Sequence, residues 1–135
     1  CRPYTIWCII SRNFITNTSF NFGQMCVFYI YNITTNIQES AEKEWLVWMQ
    51  NTHIPEMLDT GKFLSAKMCK VLVEEDLGGM TYSVQYTVEN RDILEDFHKT
   101  DAVLMKNKTN AKFAGQFVYF ETEMQLIDKQ FASKN

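Results

Sequence analysis

His53 and His98 are the two side chains best suited to acid–base chemistry near neutral pH. His53 follows Trp48 and Met49 at helical spacing and precedes Pro55. In an apolar cleft a neutral imidazole at this position can act as a general base. At a helix end it would instead donate to a free backbone carbonyl and interact with the helix dipole. The sequence leaves both roles open, and His53 is the candidate catalytic residue.

Each histidine is followed three residues later by an acid, His53 by Glu56 and His98 by Asp101. If the two helices lay side by side, these pairs could form a metal site with two imidazole and two carboxylate ligands. Such pairs are also common on solvated helix faces. We therefore expect no metal and no cofactor.

A set of large apolar side chains surrounds His53 in the sequence. They have the spacing of a buried helical stripe, and they could equally form the wall of a cleft for a small apolar ligand. The candidate cleft residues are Trp45, Trp48, Met49, Met57 and Phe97.

The charge distribution argues against two classes of partner. Sixteen acidic but only eleven basic residues follow position 24, so this part of the chain carries a net charge of −5. It lacks the positive surface needed for nucleic acid or an anionic membrane. The segment Phe28–Ile33 resembles the first-strand motif of RNA-recognition domains, but the third strand lacks the required aromatic alternation.

The four cysteines have neither metal-ligand spacing nor a C-x-x-C motif: Cys1, Cys8, Cys26 and Cys69. Cys26 and Cys69 lie in apolar runs, where a free cysteine behaves as a small hydrophobic residue. This usage favours a reducing, cytoplasmic location. Three N-x-S/T sequons, at Asn17, Asn32 and Asn107, are weak evidence for secretion.

Residues 1–24 differ in composition from the rest and contain no acidic residue. Their longest apolar run, Ile6–Ile10, is far shorter than the roughly 20 residues of a membrane span, and no signal-peptide pattern is present. We expect an N-terminal extension, non-native or disordered, with Met25 as the natural start. The alternative is an additional edge strand, Tyr4–Ile10. The domain then covers residues 25–131, with a tail at 132–135.

Apolar periodicity predicts four strands separated by two helices and one hairpin. The strands are Cys26–Ile33, Ala66–Val73, Met80–Val88 and Gln116–Ile127. The first helix is predicted to begin at Thr35, Asn36 or Ser40, and Thr35 with Gln38 fits a capping box. Pro55 is predicted to end or kink this helix. Asn90 or Asp92 begins a second helix carrying Ile93, Leu94, Phe97 and Leu104. Glycines at 78 and 79 favour a hairpin between the second and third strands.

The order βαββαβ is typical of the α+β ferredoxin-like fold. Right-handed crossovers place both helices on one face of a four-stranded antiparallel sheet with strand order 4-1-3-2.

The other sheet face is predicted to be aromatic. Placing Phe28, Ile30, Val118 and Phe120 under the helices exposes Tyr29, Tyr31, Phe117 and Tyr119 beside Ser83 and Gln85. Such a patch is larger than a monomer usually leaves bare. A second copy related by a two-fold axis would cover it, so we expect a homodimer.

Several segments carry a resemblance to a known family: Tyr29–Asn32, Glu44–Met49, His53–Glu56, Gly78–Tyr86 and Phe113–Phe120. Together they resemble an uncharacterised bacterial family, domain of unknown function 4286. That family is similar to the dimeric α+β barrel superfamily, which includes small monooxygenases, haem-degrading enzymes, isomerases and proteins with no known activity. The resemblance implies the fold and the dimer but no reaction.

Two functions are therefore open. The first, which we favour from the sequence, is a non-enzymatic or regulatory homodimer whose cleft is packed shut. The second is a small-molecule-binding protein or a cofactor-independent enzyme of the monooxygenase or isomerase type that uses His53. A cavity of roughly 300 Å³ or more containing His53 would favour the second. A filled cleft with His53 bonded to backbone would favour the first.

Overall fold

The computed structural model describes residues 28–72 and 78–133. The predictions for residues 1–24, including the alternative strand Tyr4–Ile10 and the start at Met25, lie outside these ranges. The same holds for Cys26 and for the first residues of the predicted hairpin.

The four strands form one antiparallel sheet. They are β1 (Tyr29–Ile37), β2 (Ser65–Lys70), β3 (Met80–Val88) and β4 (Phe117–Gln125). Their spatial order is β2-β3-β1-β4, with β1 paired to both β3 and β4. The predicted ferredoxin-like α+β architecture and strand order are confirmed.

The first helical region is continuous but changes its winding. A 3₁₀ turn (Glu39–Ala41) leads into α1 (Glu42–Trp48), a π turn (Met49–His53) and α2 (Ile54–Asp59). Pro55 does not end the helix, which continues through it as α2, and the residues just before it adopt the π turn. Gly61, with φ +78°, ends the region as its N–H donates to Leu58.

The predicted capping box at the start of this region is wrong. Thr35 and Asn36 belong to β1, which continues through Ile37, and the 3₁₀ turn begins only at Glu39. Thr35 is buried against the helices, and pairing on both edges satisfies the backbone of β1. Sheet pairing therefore outweighs the local capping preference of these residues.

The second helical region divides in two at Asp101, into α3 (Arg91–Thr100) and α4 (Ala102–Phe113). Asn90 caps α3 as predicted, because its side chain accepts a hydrogen bond from the Ile93 N–H at 2.9 Å. Asp101 binds Lys62 through a 2.5 Å contact with Nζ. Leu104, one of the apolar residues predicted on the second helix, is exposed.

The predicted assignment of β1 and β4 side chains to the two sheet faces is wrong. Tyr31 pairs with Tyr86 and is 1% exposed beneath the helices. Phe117 and Tyr119 oppose Ile37 and Thr35, so they share that face, as does Tyr29. The error arose because the predicted strand stopped at Ile33. Ile37, which is fully buried, fixes the alternation once it is included.

The face away from the helices, here called the open face, therefore carries a different set of side chains. Ser83 and Gln85 lie on it as predicted. Its exposed apolar residues come mainly from β4: Val118, Phe120 and Met124. Cys69 of β2 is a free, exposed thiol and not the buried residue that the sequence suggested.

The hairpin between β2 and β3 depends on a glycine at position 79. Gly79 has φ +81°, and a Cβ added there would lie 2.5 Å from the Ile37 carbonyl oxygen. The predicted requirement for positive φ in this connection is confirmed.

Among the described residues, one core joins the sheet to the helices. Its largest fully buried side chains include Trp45, Tyr31, Tyr86, Phe97 and Phe113. No helix in the described ranges is both long and apolar enough to span a membrane.

Candidate ligand-binding cavity

A cavity of about 60 Å³ lies between the helices and the sheet and opens to solvent on one side. Much of its wall is apolar, formed by side chains that include Trp45, Met49, Met57, Phe97 and Met105. Its polar side chains include Tyr31, Thr35, His53, Tyr86 and Glu121. A largely apolar wall with a few polar groups is typical of small-molecule sites.

The π turn explains how one helical region supplies four wall residues. In a regular α-helix, each side chain is rotated about the helix axis by about 40° relative to the side chain four residues earlier. Over three such intervals, Trp45, Met49, His53 and Met57 would spread around the helix and away from one common face. Here the Ile54 N–H donates to the Met49 carbonyl, five residues earlier. This wider turn reverses part of the rotation, and all four side chains line the cavity.

Pro55 gives a physical reason for the π turn. Proline has no N–H to donate, and its ring clashes with the carbonyl four residues earlier. A locally wider winding relieves both problems. Single π turns inside α-helices are frequent at functional sites.

His53 is buried in this wall, with 6% of its surface exposed. Its ring stacks on Trp48 with centroids 4.6 Å apart. Its Nδ1 atom has no hydrogen-bond partner among the described residues. The helix continues beyond it as α2, so His53 is not the terminal cap considered from the sequence.

Burial lowers the pKa of His53 to about 4, against a smaller opposing effect of Glu56, while Lys108 lowers it further. The ring is therefore neutral at pH 7. A base with so low a pKa is a weak proton acceptor at that pH, so its chemistry here is that of a hydrogen-bonding group.

Tyr86 is a second buried polar group in the wall, and its side chain is fully buried. Within the described ranges its hydroxyl has no hydrogen-bond partner, and burial raises its pKa. Tyr86 was not among the candidate site residues. The alternation of β3 indicates that the side chain at position 86 is buried. It does not show that the hydroxyl has a role, because a phenylalanine would fit the same pattern.

Glu121 and Lys106 form a charged pair in the cavity wall. Lys106 Nζ lies at an ion-pair distance of 3.1 Å from Glu121 Oε2, but this buried oxygen has no hydrogen-bond partner within the described ranges. Burial, followed by hydrogen bonding to Glu121, raises the pKa of Tyr31 well above its usual range. Glu121 alternates in β4 with the same parity as Phe117 and Tyr119, which the sequence placed on the opposite face, and its position here follows from the pairing of β4 with β1.

Most of the predicted cleft residues are brought together. Trp45, Met49, Met57 and Phe97 line the cavity with His53. Trp48 is absent from the wall and packs behind it, between His53 and Phe113, whose ring centroid is 5.4 Å away.

The two histidine–acid pairs do not form a common site. Glu56 is bound to Lys108 at 3.2 Å, and Asp101 to Lys62. His98 Nε2 lies 2.8 Å from Glu123. In the part of the chain that the structure describes, no group of three or more potential ligands could hold a metal ion.

A family model described as a domain of unknown function (DUF4286) matches residues 28–127. The chain belongs to the DUF4286 family. The match covers every strand and helix described above. No curated protein matches the chain.

Solved structures similar to this DUF4286 chain share its fold at low identity. A dimeric ferredoxin-like protein from an uncultured marine organism is 10% identical, with a TM-score of 0.57 over 77% of this chain and 98% of that one. A Streptomyces coelicolor monooxygenase in complex with nanaomycin D is 14% identical, with a TM-score of 0.53 over 79% and 94%. Hydroxynitrile lyase from Passiflora edulis is 14% identical, with a TM-score of 0.50 over 77% and 97%. The likeness shows a ferredoxin-like fold and no particular reaction.

The lowered pKa of His53 predicts a pH-dependent stability. The unfolded chain takes up a proton near pH 6.5, whereas folded His53 resists protonation down to about pH 4. Because the unfolded state binds the proton more readily, the free energy of unfolding is higher at high pH, where His53 is neutral in both states. The stabilisation from this pKa difference is fully present above pH 6.5 and is lost progressively as the pH falls towards 4.

Urea unfolding at a series of pH values would measure this effect. Replacing His53 by phenylalanine should flatten the dependence between pH 6.5 and 4. An unchanged slope in the His53 variant would contradict the assignment.

Proposed function

We propose that this DUF4286 domain binds a small, largely apolar molecule in the cavity between its helices and sheet. The observation that carries the proposal is His53, which lines the cavity with a buried Nδ1 that lacks a partner among the described residues. Leaving such an atom unsatisfied costs about 1–3 kcal/mol. A bound molecule that bonds to it would recover this energy.

The cleft does not reach the volume of roughly 300 Å³ that would favour a small-molecule site, but it is not packed shut either, and we take this opening as support for binding. His53 lies in an open cavity and its Nδ1 is not bonded to backbone. The volume of about 60 Å³ is below that of a typical drug-sized pocket, yet it exceeds the roughly 10–15 Å³ needed by one water molecule. The proposed molecule is therefore small, or extends out through the open side.

We propose binding and not catalysis as the primary role. With a pKa of about 4, His53 is a poor general base at neutral pH. A monooxygenase or lyase activity would rest on the similar structures alone, and at 14% identity their likeness bears on the fold. An exposed free thiol at Cys69 is consistent with the proposed cytoplasmic location.

A thermal-stabilisation screen that includes haem and aromatic ketones tests the proposal. The compounds are applied to the wild type and to His53→Ala, with His98→Ala as the matched control. We expect at least one compound to raise the melting temperature of the wild type and the control more than that of His53→Ala. Equal shifts in all three proteins would remove His53 from the site.

We also propose that the protein is a homodimer joined through the open face. Val118, Phe120 and Met124 form an exposed apolar strip there. Beside it the polar side chains bond to one another, Ser83 Oγ to Asn32 Oδ1 at 2.5 Å and Asn36 to Thr81 at 3.1 Å. Covering polar groups that are already bonded costs little, so a second copy can bury this surface.

Introducing a charge into the apolar strip should break the dimer. Phe120 is 61% exposed in the single chain. Replacing it by aspartate would bury an unpaired carboxylate in the proposed interface. Light scattering should give twice the chain mass of 15.9 kDa for the wild type and a single mass for Phe120→Asp. Val103→Asp, at an exposed position on α4, should remain dimeric. A monomeric wild type would refute the proposal.

A further inference from the structure

We infer that the cavity recognises an uncharged hydrogen-bonding group, a carbonyl or a hydroxyl, carried on an apolar body. This inference rests on the proposed binding function and specifies the chemical class of the ligand.

Tyr86 provides the first step, through comparison with Tyr82 in the same strand. Both side chains are buried and both point toward the helices, since they lie two residues apart in β3. The Tyr82 hydroxyl donates to Glu42, whereas that of Tyr86 has no partner within the described ranges. Only Tyr86 lines the cavity. A hydroxyl buried in this way is available to a ligand, either as a donor to a carbonyl or as an acceptor from a hydroxyl.

His53 provides a second available group in the same cavity. A neutral imidazole has one donor and one acceptor nitrogen, so Nδ1 can either give or receive one hydrogen bond. The low pKa of His53 and the raised pKa of Tyr86 keep both side chains uncharged at neutral pH. Neither group offers a counter-charge to an ion.

The charged groups nearest the cavity are already paired with each other. Lys106 and Glu121 in the wall lie 3.1 Å apart as an ion pair, although Glu121 Oε2 accepts no hydrogen bond within the described ranges and can accept one from a ligand hydroxyl. Lys108 and Glu56, which act on His53 from outside the wall, lie 3.2 Å apart. An ionised ligand would therefore lose its hydration without gaining an unpaired opposite charge, which is a large cost in a buried site.

The remaining wall sets the body of the ligand. Trp45, Met49, Met57 and Phe97 offer aromatic and thioether surfaces, which pack against rings and aliphatic chains. A ketone or alcohol with a short chain, or with a ring that extends out of the cavity of about 60 Å³ into its open side, satisfies both parts of the site.

Five probes of similar shape separate the possibilities: acetophenone, benzyl alcohol, toluene, benzoate and benzylammonium. Binding is measured by calorimetry and by NMR titration of the full chain at pH 7. Acetophenone or benzyl alcohol should bind about tenfold more tightly than toluene, because one added hydrogen bond is worth about 1.4 kcal/mol. Benzoate and benzylammonium should bind more weakly than either neutral polar probe.

Tyr86→Phe should reduce the preference over toluene, and Tyr82→Phe should leave it unchanged. Near-ultraviolet circular dichroism shows that each variant remains folded. An unchanged preference in Tyr86→Phe, or an equal loss in both variants, would overturn the assignment of Tyr86.

The outcomes distinguish this inference from the proposed function. Equal or tighter binding of benzoate or benzylammonium would overturn the uncharged class and leave the cavity as a binding site. For benzylammonium, that result would point to Glu121 as its partner. Equal affinities for toluene and the neutral polar probes would overturn hydrogen-bond recognition. No binding of any probe, toluene included, would count against the proposed function itself.

Discussion

Replacing Tyr86 by phenylalanine should stabilise the ligand-free protein by about 1 kcal/mol, whereas Tyr82→Phe should destabilise it by about 1.5 kcal/mol. The two tyrosines share a strand, a face and a buried environment. The Tyr86 hydroxyl lacks a partner in the described part of the chain, so its removal relieves an unsatisfied buried group. Removal of the Tyr82 hydroxyl breaks its bond to Glu42.

Urea unfolding at pH 7 without ligand would measure the change in the free energy of unfolding for both variants. The opposite signs make the result independent of any general effect of a tyrosine-to-phenylalanine change. A stabilising substitution in a binding site is expected where function maintains a group that the empty fold does not need. Destabilisation of both variants by similar amounts would contradict our account, because it would mean that Tyr86 has a partner in the folded protein.

Replacing Trp45 by alanine should destabilise the protein by about 3–5 kcal/mol. Trp45 is 1% exposed, packs against Tyr82 with ring centroids 5.3 Å apart and forms part of the cavity wall. The substitution removes a large apolar surface from the core and leaves a void that the sheet cannot fill. Because the void adjoins the cavity, the variant should also bind larger apolar probes than the wild type.

Val47→Ala is the matched control for this experiment, since Val47 lies on the same helix but is 55% exposed. Its free energy of unfolding should change by about 0.5 kcal/mol or less. Chemical denaturation of both variants provides the comparison. A loss below about 1 kcal/mol in Trp45→Ala would show that this side chain is not part of the core.

The sequence predicts the fold well wherever one periodic signal dominates. The boundaries of β3 were predicted correctly, because its alternation runs unbroken from Met80 to Val88. The phase of β1 was wrong, because aromatic side chains lie at both parities in its first half. Only Ile37, beyond the predicted strand end, shows which parity is buried. The error carried over to β4, whose face follows from its pairing with β1.

The site was predicted in part for a similar reason. Helical spacing alone grouped His53 with Trp45, Met49 and Met57. The π turn that keeps them on one side depends on Pro55 and on the tertiary environment, so spacing could not predict it. Tyr86 was not predicted because the absence of a hydrogen-bond partner is a property of the folded environment.

The most direct test of the central claim is a crystal structure of the protein grown with acetophenone. We predict density for the ketone in the cavity, with its oxygen within hydrogen-bonding distance of the Tyr86 hydroxyl and its ring against the helix side chains. A cavity closed by its own side chains, with His53 and Tyr86 bonded to protein groups and the ketone absent, would contradict the claim.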